Sequence, residues 1–268
     1  MKTYVILCLS MLLAATLPAR SQSSGQISYE VTRKIDQSRL RFKINGEDVK
    51  VGDPNFPTDV PDSRTFGQKV LFAGNLVKEN RDEQNMVKRM VVVEDRLSGG
   101  GPPRTTNMGN PFEEHIYVDL GTRKIITILI IGKEKEAKTY RSEKPLQPAT
   151  GWQITDQTKK IAGHVCKKAT VPFNKETYTV WFTTEIPVTY SPVHELTPET
   201  GLVLLIEGSQ EQFRATKINT NAVDIKEVQP PSNAQNVTPE QLTDLRQKAM
   251  ADFHQEMMNS GVVGGGGN

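Results

Sequence analysis

Apolar residues in this chain recur mostly at every second position. Ile27, Tyr29 and Val31 alternate with Ser28, Glu30 and Thr32, the period of a strand with one buried face. Leu40–Ile44 and Val49–Val51 flank Asn45-Gly46, which predicts a hairpin. Pro and Asp predict a loop over 52–62. Lys69–Lys78 and Met86–Glu94 predict two strands around a polar turn at Glu79–Asp82, and Gly99–Arg104 predicts a surface loop. His115–Gly132 reads as a hairpin turning near Gly121-Thr122. Its return strand, Lys124–Ile131, is apolar on both faces; it is either a central strand covered on both sides or the lining of a hydrophobic groove. Trp152–Thr155, Lys160–Val171, Thr177–Thr183, Leu202–Glu207 and Phe213–Asn219 supply further strands. Helical patterning enters only at the end, where Thr238 is a candidate N-cap for a helix over Glu240–Met258.

The expected fold is therefore mainly β: a curved antiparallel sheet, a barrel or half-barrel, with a C-terminal helix. Three segments are expected: 1–21, a β domain over 22–230, and a linker, helix and Gly-rich end over 231–268.

The first segment reads as a cleavable signal peptide. Lys2 precedes an apolar run from Tyr4 to Leu17, and Ala19 and Ser21 supply the small side chains before a cut at Gln22. The run is shorter than the roughly 18–20 residues that cross a bilayer, and no later segment reaches that length. Localisation is thus expected to be periplasmic or secreted, with no transmembrane segment after cleavage. Cys8 lies inside the run rather than after it, the wrong place for a lipidated cysteine. Losing Lys2 and Arg20 takes the 33 basic residues to 31, equal to the 31 acidic ones. A chain so balanced has no broad electrostatic attraction for nucleic acid or anionic lipid. Cys166 is then the one remaining thiol and cannot form an internal bridge.

Several blocks occur in a characteristic order: Trp152-Gln153-Ile154, Lys160-Ile161-Ala162-Gly163, Cys166-Lys167-Lys168-Ala169-Thr170, Trp181-Phe182-Thr183 and Glu185-Ile186-Pro187-Val188. With Ile27–Val31 and the hairpin near Gly121, they resemble the GLPGLI family, exported proteins of Bacteroidota with no established biochemical role. The resemblance runs from about Ile27 to Ile218. It departs at the naming motif, where this chain has Pro198-Glu199-Thr200-Gly201-Leu202-Val203, and at Ser191-Pro192, where Gly-Pro is usual. The resemblance implies a curved sheet similar to that of periplasmic lipoprotein carriers.

Candidate chemistry is sparse. On a predicted strand His164 and Cys166 face the same side, and Met250, His254 and Met258 share one helix face. Either set offers ligands to Cu(I) or Zn, against the plainer reading of a core thiol and a packing helix. His164, His194 and His115 are the imidazoles that could serve Cys166 as a base. No Gly-x-Ser-x-Gly elbow, His-Glu-x-x-His pair or phosphate-cradling loop occurs. Trp152, Trp181, Phe182, Ile126, Ile128 and Ile130 are candidate groove residues, with core filling as the alternative. The expected function is a non-enzymatic envelope protein that takes a lipid-like ligand or a protein partner and needs no cofactor. Periplasmic Cu/Zn handling is the alternative.

Overall fold

The computed structural model describes residues 24–39, 42–44, 47–57, 60–81, 89–91, 105–107 and 110–259. The signal segment, Cys8, the Asn45-Gly46 turn, the 99–104 loop and the Gly-rich end lie outside the described residues. The strands are β1 (Ser24–Lys34), β2 (Phe42–Ile44), β3 (Glu47–Val49), β4 (Ser63–Ala73), β5 (Leu76–Arg81), β6 (Arg89–Val91), β7 (Thr105–Asn107) and β8 (Glu113–Asp119). They continue with β9 (Lys124–Ile131), β10 (Lys138–Pro145), β11 (Gln153–Ile161), β12 (His164–Phe173), β13 (Glu176–Thr183), β14 (Leu202–Glu207), β15 (Glu211–Asn219) and β16 (Gln235–Asn236). The helices are α1 (Ile225–Val228) and α2 (Pro239–Asn259).

Twelve strands form one sheet in the order β11-β12-β13-β14-β15-β1-β4-β5-β8-β9-β10-β16; β2 pairs with β3, and β6 with β7. The large sheet is antiparallel except where β16 lies parallel on β10. Its end strands β11 and β16 do not pair, so the sheet does not close into a barrel. It is nevertheless wrapped around one core. Inward residues of β1, β4, β5 and β8 (Ile27, Val31, Val70, Val77, Val118) share a cluster with Ala169 of β12, Val180 of β13 and Ile206 of β14. Tyr29 of β1 donates its hydroxyl to the Val203 carbonyl of β14 at 2.7 Å.

The structure divides two segments that the sequence pattern presents as single strands. Lys69–Lys78 is broken between β4 and β5 at Gly74-Asn75, with Gly74 at φ 59°. Lys160–Val171 is broken between β11 and β12 at Ala162-Gly163, with φ of 46° and 89°. Both are turns of two residues, too short to interrupt an apolar alternation visibly. Glu79, read from the sequence as part of a polar turn, belongs to β5 and is 3 % exposed. Its alternation with Val77 puts it on the inner face, where tertiary partners satisfy its oxygens. Strand β10 was absent from the sequence reading because Lys138–Pro145 is polar and half exposed; its edge is covered by β16, inside the segment expected to be linker.

β9 is covered on both sides. Ile125 and Leu129 face one way; Ile126 and Ile128 face the other, packed with Tyr117, Ile130 and Ala234. The α2 N-terminus is capped reciprocally. Gln241 N–H donates to Thr238 Oγ1 at 3.2 Å, and Thr238 N–H donates to Gln241 Oε1 at 2.9 Å.

The 184–201 segment between β13 and β14 crosses the inner face rather than looping into solvent. Ile186, Val188, Tyr190, Ser191, Leu196 and Thr197 are all buried. Tyr190 pairs in parallel with Leu202, and Val203 N–H donates to the Tyr190 carbonyl at 2.9 Å. A plug made from the chain itself thus occupies the concavity.

Ion pairs at the β9–β10 end make the fold sensitive to acid. Lys124 at 2.9 Å and Arg141 at 2.7 Å from Glu143 hold its carboxyl below the ordinary value, Lys124 contributing first. A carboxyl depressed by folding adds stability above its unfolded pKa and loses it as pH falls through the folded value. The urea midpoint is expected to fall as pH drops below the ordinary carboxylate range, and Glu143→Gln is expected to remove part of that fall. Identical pH profiles for the two proteins would disprove the assignment.

Candidate functional site

The inner face carries a polar cluster. Glu79 Oε1 accepts the Tyr190 hydroxyl at 2.8 Å and lies 2.6 Å from His194 Nε2. Gln68 Nε2 approaches Glu79 Oε2 at 3.4 Å. Register explains the meeting. Glu79 on β5 sits opposite Val70 of β4, two positions along the same face from Gln68, and the 184–201 plug lowers Tyr190 and His194 onto it. Burial first, then Glu79 and then Cys166 push the nearby Tyr29 phenol far above its ordinary pKa. Tyr29 is therefore a neutral hydroxyl donor at every working pH.

A cleft of about 340 Å³ borders this cluster on one side of the plug. His194 lines it, with its side chain 11 % exposed. Arg246 of α2 reaches Glu114 of β8 at 2.6 Å, and Arg33 of β1 reaches Glu211 of β15 at 3.3 Å; all four line the cleft with Lys144 and Glu195. Acid and base are therefore matched along its walls, while Ile116, Ile125 and Phe213 supply apolar patches. A second cleft of about 330 Å³ lies against the other part of the plug, between Tyr190, Thr197 and the turns at Asn75 and Arg123. Tyr190 lines one cleft and His194 the other, and both meet the same Glu79 oxygen.

The residues singled out from sequence lie elsewhere. Trp181 and Phe182 are buried in the core cluster, not spread along an open groove. The Trp181 indole donates to Glu207 Oε2 at 3.2 Å, with the Lys159 ammonium 4.1 Å from its ring centre. Trp152 donates its indole N–H to the Ala149 carbonyl at 2.9 Å. Ile126, Ile128 and Ile130 pack in the smaller cluster on the other face of β9.

His164 places Nδ1 2.9 Å from Glu185 Oε2, and Val165 N–H also donates to that carboxylate. The fully buried Cys166 points its thiol at the His164 carbonyl, 3.7 Å away. Met250 is half-buried on α2, while His254 and Met258 face solvent on the flank away from Leu242 and Ala249. No group of three or more His, Cys, Asp or Glu side chains placed to hold a metal ion occurs among the described residues.

Burial first, reinforced by Glu185 and opposed by Lys159, pushes the Cys166 thiol up to about 11. A neutral, enclosed thiol is a poor nucleophile. Cys166 is expected to resist an aromatic disulfide reagent for hours in native buffer and to react stoichiometrically in denaturant. Rapid native labelling would contradict this placement.

The sequence reading missed Glu79 as a site residue and gave His194 no specific partner. Its one available signal was a lone Glu in phase with Val77 on the inner face of a strand, which a turn reading concealed.

A family model described as "N-glycanase peptide, N-terminal domain" (PNGase_F-II_N) matches residues 85–248. The chain belongs to this family. The PNGase F-II N-terminal-domain match includes Tyr190, His194 and Arg246 but begins after Glu79, so the buried cluster joins matched and unmatched parts of the fold. The chain is also similar in fold to solved structures of PNGF-II in the C2 and P21 space groups. Each is 14% identical and covers 85% of this chain, with TM-scores of 0.52 and 0.51. The chain spans about a third of the length of those proteins, 33% and 34%. No curated protein matches its sequence.

Proposed function

We propose that this chain is an exported, non-catalytic recognition domain that binds glycosylated polypeptide in the cleft beside His194. The observation that carries the reading is the character of the concavity. The 184–201 plug fills its apolar interior, and the cleft that remains combines paired acids and bases with small apolar patches. Such a surface suits a polar ligand with hydroxyl groups and C–H faces better than an acyl chain. Membership of a family named for the N-terminal domain of an N-glycanase supports a glycan as that ligand. Export is read from Met1–Ser21, and the resemblance to the exported GLPGLI family agrees with it. The non-catalytic reading rests on the sequence, which lacks a Gly-x-Ser-x-Gly elbow, a His-Glu-x-x-His pair and a phosphate-cradling loop.

Calorimetric titration of the full chain tests this with three probes: a peptide bearing an Asn-linked N-acetylglucosamine disaccharide, the bare peptide, and the free disaccharide. The expected result is binding of the glycopeptide with a Kd on the order of micromolar to millimolar, weaker binding of the disaccharide, and no release of sugar. Heat-silent titrations with all three would overturn recognition, and sugar release would overturn the non-catalytic reading.

A further inference from the structure

We propose that Glu79 holds the His194 imidazole with its proton on Nε2, and that this leaves Nδ1 as a fixed acceptor in the cleft for a hydroxyl of a neutral sugar. The inference deepens the recognition reading above and rests on it for the identity of the ligand.

Glu79 Oε1 accepts the Tyr190 hydroxyl at 2.8 Å and faces His194 Nε2 at 2.6 Å. An ionised carboxylate oxygen accepts but cannot donate. Against an ionised carboxylate the facing nitrogen carries the proton, and whenever the ring is neutral Nδ1 is then the acceptor. Gln68 Nε2 on Oε2 and the tyrosine on Oε1 stabilise the ionised form from two sides. Nδ1 makes no hydrogen bond among the described residues. Gln68 Oε1 is the one buried side-chain nitrogen or oxygen there without a partner. Nδ1 is therefore not sealed away, and the space His194 borders is the cleft.

The cleft walls argue for a neutral ligand. Arg246 is matched by Glu114 and Arg33 by Glu211, and the lining adds one further base, Lys144, and one further acid, Glu195. No surplus charge selects an anion or a cation. Carboxylates and an imidazole acceptor ask for hydroxyl donors, guanidinium groups supply donors to ring and hydroxyl oxygens, and Phe213 and Ile116 offer surface to C–H groups. A sugar ring presents all three.

Two measurements on the full chain separate the parts. Nitrogen-15 spectra of the histidine rings, recorded above their titration range without ligand, are expected to show His194 protonated on Nε2 and bare on Nδ1. A proton on Nδ1, or rapid exchange between both forms, would overturn the fixed tautomer whatever the ligand is. His194→Gln preserves an N–H near the Nε2 position for Glu79 but removes the Nδ1 acceptor. It is expected to melt close to the parent while binding the glycopeptide about ten-fold more weakly, with the bare peptide unaffected. Unchanged glycopeptide affinity in His194→Gln would refute the acceptor role. If the parent itself ignores every sugar-bearing probe, the recognition reading and the sugar assignment fail together, while the tautomer measurement still decides the device. Should His194→Gln fold poorly, Tyr190→Phe gives a second reading. It keeps the imidazole and Glu79, and the Nε2–H form and glycopeptide binding are both expected to survive. Loss of the Nε2–H form in Tyr190→Phe would show that Glu79 does not fix the ring.

Discussion

Glu79→Ala is expected to destabilise the protein by about 3–5 kcal/mol, measured as a loss of unfolding free energy in urea at neutral pH. The size follows from what is left behind. Truncation removes the acceptor for the Tyr190 hydroxyl and for His194 Nε2, and it deprives Gln68 of its contact. Tyr190 and Gln68 are buried on the inner face, and His194 beside them is only 11 % exposed. Unpartnered buried polar groups cost far more than the net gain from making their bonds, and a small cavity adds to the penalty. Glu79→Gln should lose less, because its carbonyl oxygen still accepts one donor. The two variants thus distinguish charge from hydrogen bonding. A loss below about 1 kcal/mol in Glu79→Ala would show that the plug is held by its apolar contacts alone.

Gly201→Ala is expected to rank second, with a loss of about 2–4 kcal/mol and a Tm lower by on the order of 10 °C. Gly201 has φ of 104°, outside the region open to residues with a Cβ. An added methyl would stand 2.8 Å from the Thr183 carbonyl oxygen and 3.0 Å from Phe182 Cδ2. The carbonyl belongs to the end of β13 and cannot swing aside like a flexible side chain. The glycine also fixes the exit of the plug: its N–H donates to Thr189 Oγ1 at 3.2 Å, and its carbonyl accepts from Tyr190 N–H at 3.3 Å. A displaced Gly201 would therefore loosen Tyr190 and, through it, Glu79. Reduced hydrogen-exchange protection should spread from Gly201 to the amides of Tyr190 and Val203. Protection unchanged at both amides would show that the corner is locally tolerant.

Both residues illustrate how unevenly the sequence declares its contents. Gly201 was legible: a glycine directly before the apolar run Leu202–Ile206 marks a sharp corner entering a buried strand, and the corner is there. Glu79 was not. Next to Asn80, Arg81 and Asp82 it looks like one more solvated charge, and its burial depends on residues more than a hundred positions away. Trp181 shows the reverse case. Its hydrophobic bulk was evident, but the choice between lining a groove and filling a core depends on whether another segment covers it.

The sequence by itself determined most of the strands, their alternation of inner and outer faces, both hydrophobic faces of β9, and the capped C-terminal helix. These depend on local periodicity, turn chemistry and capping, all of which act over a few residues. Only the tertiary structure decided that the sheet stays open, that residues 184–201 plug its concavity, and that Glu79, Tyr190 and His194 meet beside a charge-balanced cleft. A buried polar cluster is stable only when its partners arrive together. Segments distant in the chain meet through sheet curvature and loop path, which no short window of sequence encodes.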